Sequence, residues 1–164
     1  MTTRKGEIYL ENIGTATYTR DKRMSSVHVY MIWKCASWLG KSKEFRNSGG
    51  TTVSIITIKD LTTDRVYPDI ETELFDIECE TGLKHHYDDL KDRIVRNPKM
   101  VIVVLPNRQV KARYEQNCKV RKQRLQFCTV SEFPKTVHLV LSSMRAVKWN
   151  REKQKRHTTL ENTR

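Results

Sequence analysis

The sequence has no run of about 18 apolar residues, so no transmembrane helix is expected. Residues Met1–Gly6 are polar and lead into no apolar stretch, so no signal peptide is expected either. There is no apolar amphipathic anchor, which argues against a membrane-surface protein. A cytoplasmic protein is the expectation. The cysteines, Cys35, Cys79, Cys118 and Cys128, form no C-x-x-C pair, and no histidine stands at finger spacing from them. A zinc site is therefore not expected. The cysteines read as small buried hydrophobes. A Cys118–Cys128 disulfide is disfavoured in a reducing compartment. Internal repeats and low-complexity linkers are absent. Residues 1–149 are expected to form one domain, and 150–164 a basic, flexible tail. No helix-turn-helix, finger or RNP signature is found, so sequence-specific readout of nucleic acid is not indicated.

What the sequence does have is positive charge. The formal net charge of its 164 residues is +12, and the pI is about 9.7. An anionic partner is expected, with nucleic acid first. The charge is uneven. Arg108, Lys111, Arg113, Lys119, Arg121, Lys122 and Arg124 stand close together, opposed in that stretch by Glu115. Lys148, Arg151, Lys153, Lys155 and Arg156 follow near the end. Acids concentrate between Asp60 and Asp92. The basic residues from Arg108 to Arg124 are the candidate nucleic-acid contacts. Their plainer reading is a solvated face.

Apolar periodicity and turn residues predict the elements. A short strand is expected over Glu7–Leu10 and a helix over Val27–Leu39, capped by Ser25 or Ser26. Strands follow over Thr51–Lys59, Arg65–Ile70 and Leu74–Glu80. A helix over Lys84–Arg96 stops at Asn97-Pro98. Met100–Leu105, "MVIVVL", reads as a buried parallel strand. A basic helix (Asn107–Cys118), a strand (Leu125–Val130) and a final helix capped by Ser131 complete the order. The fold class is α/β (α+β). It is a three-layer sandwich on a mixed sheet of about five strands, antiparallel first and then parallel.

The strand Leu74–Glu80 poses the chemical question. Side chains alternate along a strand, so Asp76, Glu78 and Glu80 share one face while Phe75, Ile77 and Cys79 share the other. Burying neighbouring carboxylates without a cation costs several kcal/mol each. A divalent metal answers that need, and hard oxygen ligands suit Mg²⁺ or Mn²⁺. Asp69 follows Pro68, and a turn over Ile70–Glu73 would set it beside Glu78. Asp69, Glu78 and Glu80 are the candidate metal ligands. The plainer reading is a solvated acidic strand that balances basic residues elsewhere.

The motif Pro68-Asp69 … Glu78-Cys79-Glu80, in this order of elements, resembles the PD-(D/E)XK nuclease superfamily. That superfamily includes many restriction endonucleases and archaeal Holliday-junction resolvases. The resemblance covers roughly Val27–Leu105 and implies an αβββαβ core, here extended by a helix, a strand and a helix. It implies a metal-dependent DNA nuclease that acts on duplex or branched DNA, as a homodimer where both strands are cut. One position departs from the pattern. The family usually has lysine two residues after the second acid, and this sequence has Glu80. Glu80 would then serve as a further ligand or general base, or Lys84 or Lys91 would supply the missing cation from the next helix. The alternative is a non-catalytic nucleic-acid-binding protein that retains the nuclease fold. The first helix offers no acid of the kind that many relatives place there, only His28. His85 and His86 are further candidates for phosphate or metal contact, although capping-region residues are the plainer reading.

Overall fold

The computed structural model describes residues 5–10, 14–19, 25–55, 68–82, 87–118 and 125–161. β1 (Lys5–Leu10) and β2 (Gly14–Thr19) form an antiparallel pair of their own. The sequence reading anticipated β1 and not β2.

α1 spans Ser26–Lys41. Ser25 caps it, its Oγ accepting from the His28 backbone N–H at 3.2 Å. Met31, Ile32, Cys35, Ala36 and Leu39 form its buried stripe. Ser42 ends α1 and caps the short α2 (Lys43–Asn47), which sequence reading had left as chain before a turn. Gly49 then turns the chain at φ 94. Gly50 lies against the Phe45 ring with no room for a Cβ.

The main sheet is made of β3 (Val53–Ile55), β4 (Ile70–Thr72), β5 (Phe75–Cys79), β6 (Met100–Leu105) and β7 (Leu125–Thr129). They lie in the order β3-β4-β5-β6-β7. The β3/β4 and β4/β5 pairs are antiparallel, and the β5/β6 and β6/β7 pairs are parallel. This is the mixed five-strand sheet that the sequence reading anticipates. The β4–β5 turn is tighter than expected. Ile70 and Glu71 are already paired strand residues, and only Glu73 and Leu74 lie between the strands. The Thr72 hydroxyl closes the turn, donating to the Phe75 carbonyl at 2.6 Å and accepting from the Leu74 and Phe75 N–H groups. The first half of the stretch expected as the strand Arg65–Ile70 lies outside the described residues, as does the end of Thr51–Lys59.

α3 (Tyr87–Arg96) connects β5 to β6, α4 (Arg108–Asn117) connects β6 to β7, and α5 (Phe133–Glu161) follows β7. The cap of α5 differs from expectation. Ser131 lies in the preceding turn, its Oγ 3.0 Å from that of Thr129. Glu132 sits at the helix start, where its carbonyl accepts from Thr136 N–H. The α5 backbone continues through Trp149 to Glu161, over the stretch where the composition suggests a loose tail.

The sheet buries both faces. Phe75, Ile77, Cys79, Ile102, Val104 and Cys128 pack against α1 and α5. Val101, Val103, Leu105 and Leu125 pack against Leu90 and Ile94 of α3 and Val110 and Tyr114 of α4. The layers are therefore helix, sheet, helix. Each large side chain buried this way stabilises the fold by roughly 1.5–3 kcal/mol. All four cysteines are buried and free, as expected of small core hydrophobes. Among the described residues, no helix is long and apolar enough to cross a membrane.

Candidate active site

β4 and β5 pair Ile70 with Ile77 and Glu71 with Asp76. One further step in that register sets Asp69 across from Glu78, as the sequence reading expected. Asp69 is anchored where the strands separate. The Cys79 backbone N–H donates to its Oδ2 at 2.8 Å. The same oxygen lies 3.0 Å from Nε2 of His28. His28 sits in the first turn of α1, held there by the Ser25 cap. So α1, the approach to β4 and the end of β5 converge on one carboxylate, whose side chain is 3% exposed.

Glu78 is as deeply placed, its side chain 4% exposed. Its partner is Arg93 of α3, whose Nη1 donates to Glu78 Oε2 at 2.7 Å. Nη2 of the same guanidinium donates to Glu80 Oε1 at 2.6 Å. One planar fork thus spans the E-x-E pair, a geometry that arginine provides and lysine does not. Burial alone would lower the Arg93 pKa. The charges of Glu78 and Glu80, with Asp69 behind them, outweigh burial and raise it, so the guanidinium stays charged. Asp69 thus belongs to the same electrostatic cluster.

The remaining acid of the strand has a separate partner set. Asp76 accepts from Asn97 Nδ2 at 2.7 Å and from Lys99 Nζ at 3.3 Å. Lys99 also reaches Glu71 Oε1 at 3.2 Å and the Thr72 carbonyl at 2.8 Å. The acidic row is divided: Asp76 and Glu71 answer to Lys99, while Glu78 and Glu80 answer to Arg93.

Tyr114 closes the helical side of the cluster, its ring 4.8 Å from that of Tyr87 at an edge-on angle. Burial pushes its hydroxyl pKa up, and the negative charge of Glu80 adds to the shift. The hydroxyl is buried and has no hydrogen-bond partner among the described residues. The turn after β5 passes through Gly82 at φ 75, where a Cβ would meet Val110 Cγ1 at 2.6 Å. Only glycine fits that turn comfortably.

The sequence-predicted residues fare differently. Asp69, Glu78 and Glu80 lie at one end of β4 and β5, Glu78 and Glu80 on the Arg93 fork and Asp69 on the Cys79 N–H and His28. Lys84, His85 and His86 lie outside the described residues. Lys91 does not reach the carboxylates. It pairs with Asp88 of its own helix at 2.9 Å. Lys111 is tied to Glu132 at 2.9 Å, Arg108 is exposed 4.0 Å from the same carboxylate, and Arg113 is exposed. Lys119, Arg121, Lys122 and Arg124 lie outside the described residues. Two side chains of the cluster escaped the sequence reading. The contact of His28 with Asp69 spans 41 positions, beyond any local sequence signal. Arg93 was overlooked although it stands on the stripe Leu90–Arg93–Ile94–Asn97 that faces the acidic strand. A charged residue on a core-facing stripe was the available signal.

As the side chains stand, no group of three His, Cys, Asp or Glu among the described residues is arranged to hold a metal ion. The donor chemistry nevertheless suits a hard divalent cation, because the clustered acids offer carboxylate oxygens alone. The buried Tyr114 hydroxyl beside Glu80 also fits a site that takes a further polar group. The chain matches no family model, no curated protein and no solved structure.

Proposed function

We propose that the chain is a divalent-metal-dependent deoxyribonuclease of the PD-(D/E)XK type, acting in the cytoplasm on double-stranded or branched DNA. The observation that carries this reading is the clustering of Asp69, Glu78 and Glu80 at one end of two adjacent strands. Asp69 is fixed by a backbone N–H and Glu78 by an arginine fork. Asp69, Glu78 and Glu80 would hold Mg²⁺ or Mn²⁺, which when bound supplies Lewis-acid stabilisation of the charge that develops on a phosphodiester.

The chain's own groups prepare that chemistry. Arg93 bridges Glu78 and Glu80 and puts a guanidinium where a phosphate oxygen can approach, a role suited to its planar donors. It thereby takes over the cationic part that the family's usual lysine plays and that Glu80 cannot. His28 lies within hydrogen-bond distance of Asp69 and orients that carboxylate. Exposed arginines of α4, Arg108 and Arg113, together with the net charge of +12, supply phosphate affinity without base readout.

The Arg93 fork itself favours a second reading, a nucleic-acid-binding protein that keeps the nuclease fold without its chemistry. There the guanidinium would be a permanent neutraliser of Glu78 and Glu80. Incubating supercoiled, linear and branched DNA with Mg²⁺ or Mn²⁺, wild type against Glu78→Gln, separates the two. Metal-dependent cutting that the substitution abolishes supports the nuclease. Binding without cutting, the same in both proteins, supports the second reading and overturns the first.

A further inference from the structure

A cavity of about 810 Å³ lies between α1 and the start of α5, outside the carboxylate cluster. Val27, Tyr30, Lys34 and Trp38 line it from α1, and Pro106 and Phe133 face them. Trp38 and Phe133 pack edge to face at 5.7 Å and close one end. Its volume falls within the range of small-molecule sites. Its lining combines flat apolar surfaces with a cation, and among the described residues it carries no acid.

Three observations say what fits it. The first is exposed aromatic surface: Tyr30 of the lining is 52% exposed, and Trp33, next to Lys34 on α1, is 44% exposed, unusual for large aromatics. The second is charge. Lys34 Nζ stands 5.6 Å over the Tyr30 ring and 5.7 Å over the Trp33 ring, and it makes no ion pair with a described carboxylate. A cation poised over two open rings, in a chain of charge +12, is complementary to an anionic ligand that has flat faces. The third is position. Pro106 and Val130 follow the ends of β6 and β7, which run parallel to β5, whose own end carries Glu78 and Glu80. Cys35, also in the lining, adjoins Cys79, the residue whose N–H holds Asp69.

We propose that this cavity receives an unpaired nucleobase of a DNA strand, stacked on Tyr30, with Lys34 on the adjacent phosphate. The inference rests on the nucleic-acid reading above and deepens it: the preferred substrate contains a single-stranded or frayed stretch. Aromatic stacking tolerates any base, which agrees with the lack of a sequence-reading motif.

The test measures fluorescence anisotropy of a labelled oligothymidylate of about 12 nucleotides and of a duplex of equal length, in EDTA so that nothing is cut. Tyr30→Ala and Lys34→Ala are compared with wild type and with Tyr30→Phe. Tyr30→Ala is expected to weaken oligothymidylate binding roughly tenfold or more while leaving duplex binding within about twofold, and Tyr30→Phe to restore it. Lys34→Ala is expected to weaken oligothymidylate binding and to flatten its salt dependence. Unchanged oligothymidylate affinity in Tyr30→Ala, or an equal loss for the duplex, would overturn the proposal. Cleavage is read separately with Glu78→Gln in metal. A failed cavity with metal-dependent cutting sinks this inference alone, and intact strand binding without cutting sinks the nuclease reading alone.

Discussion

Arg93 Nη1 lies 2.7 Å from Glu78 Oε2, joining α3 to a carboxylate on β5 that is only 4% exposed. A charge that deep requires a partner. Arg93→Ala would remove the fork from Glu78 and Glu80, and a loss of about 3–5 kcal/mol is expected in urea denaturation. Replacing both members, Arg93→Met with Glu78→Met, is expected to recover much of that loss. A single substitution with no measurable effect would mean that the fork does not organise the strand end.

His28 orients Asp69 from α1. His28→Gln keeps a hydrogen-bonding side chain but removes the ring that reaches Asp69. Plasmid cleavage by this variant is expected to fall roughly tenfold, with its urea midpoint near that of wild type. Cleavage at the wild-type rate would make His28 merely structural.

Lys99 serves the other half of the acidic row. Lys99→Ala leaves Asp76 with Asn97 as its remaining described partner, and about 1–3 kcal/mol of stability should be lost. Metal-dependent cleavage at permissive temperature should stay at the wild-type rate. A selective loss of cleavage would place Lys99 in the active cluster after all.

Glu132 gives a pH signature. Its hydrogen bond from Lys111, with another from the Thr129 N–H, lowers its pKa from 4.5 to about 2. The folded state thus binds its proton less readily than the unfolded state does. The stabilisation is present above pH 4.5 and is lost as pH falls toward 2. It amounts to less than about 1 kcal/mol, because both partners face solvent in part. Thermal melts of wild type and Glu132→Gln should converge on acidification through that window. A constant gap would contradict the assignment.

The sheet was legible because its signals are local. "MVIVVL" is apolar on both faces, and the structure covers both. The alternation of Phe75, Ile77 and Cys79 with Asp76 and Glu78 gives β5 its two faces directly. Asp69 opposite Glu78 followed from a short turn, although the turn proved tighter than expected because the Thr72 hydroxyl closes it. What sequence did not show are the long-range partners. The Arg93–Glu78 and His28–Asp69 pairings arise only when α3 and α1 dock on opposite faces of the sheet. The acidic strand looked in need of an external cation because its internal ones lie 13 to 41 positions away. The α5 cap was misassigned to Ser131 because a serine is a strong local signal, while Glu132 is held by Thr129 and Lys111 from other elements.

The central claim is that Asp69, Glu78 and Glu80 form one hard-cation site despite the Arg93 fork, and calorimetric titration of Mn²⁺ tests it most directly. Saturable binding to wild type, at least tenfold weaker in Asp69→Asn and in Glu78→Gln, is the predicted result. Equal Mn²⁺ binding by all three proteins, or none by wild type, would contradict the account.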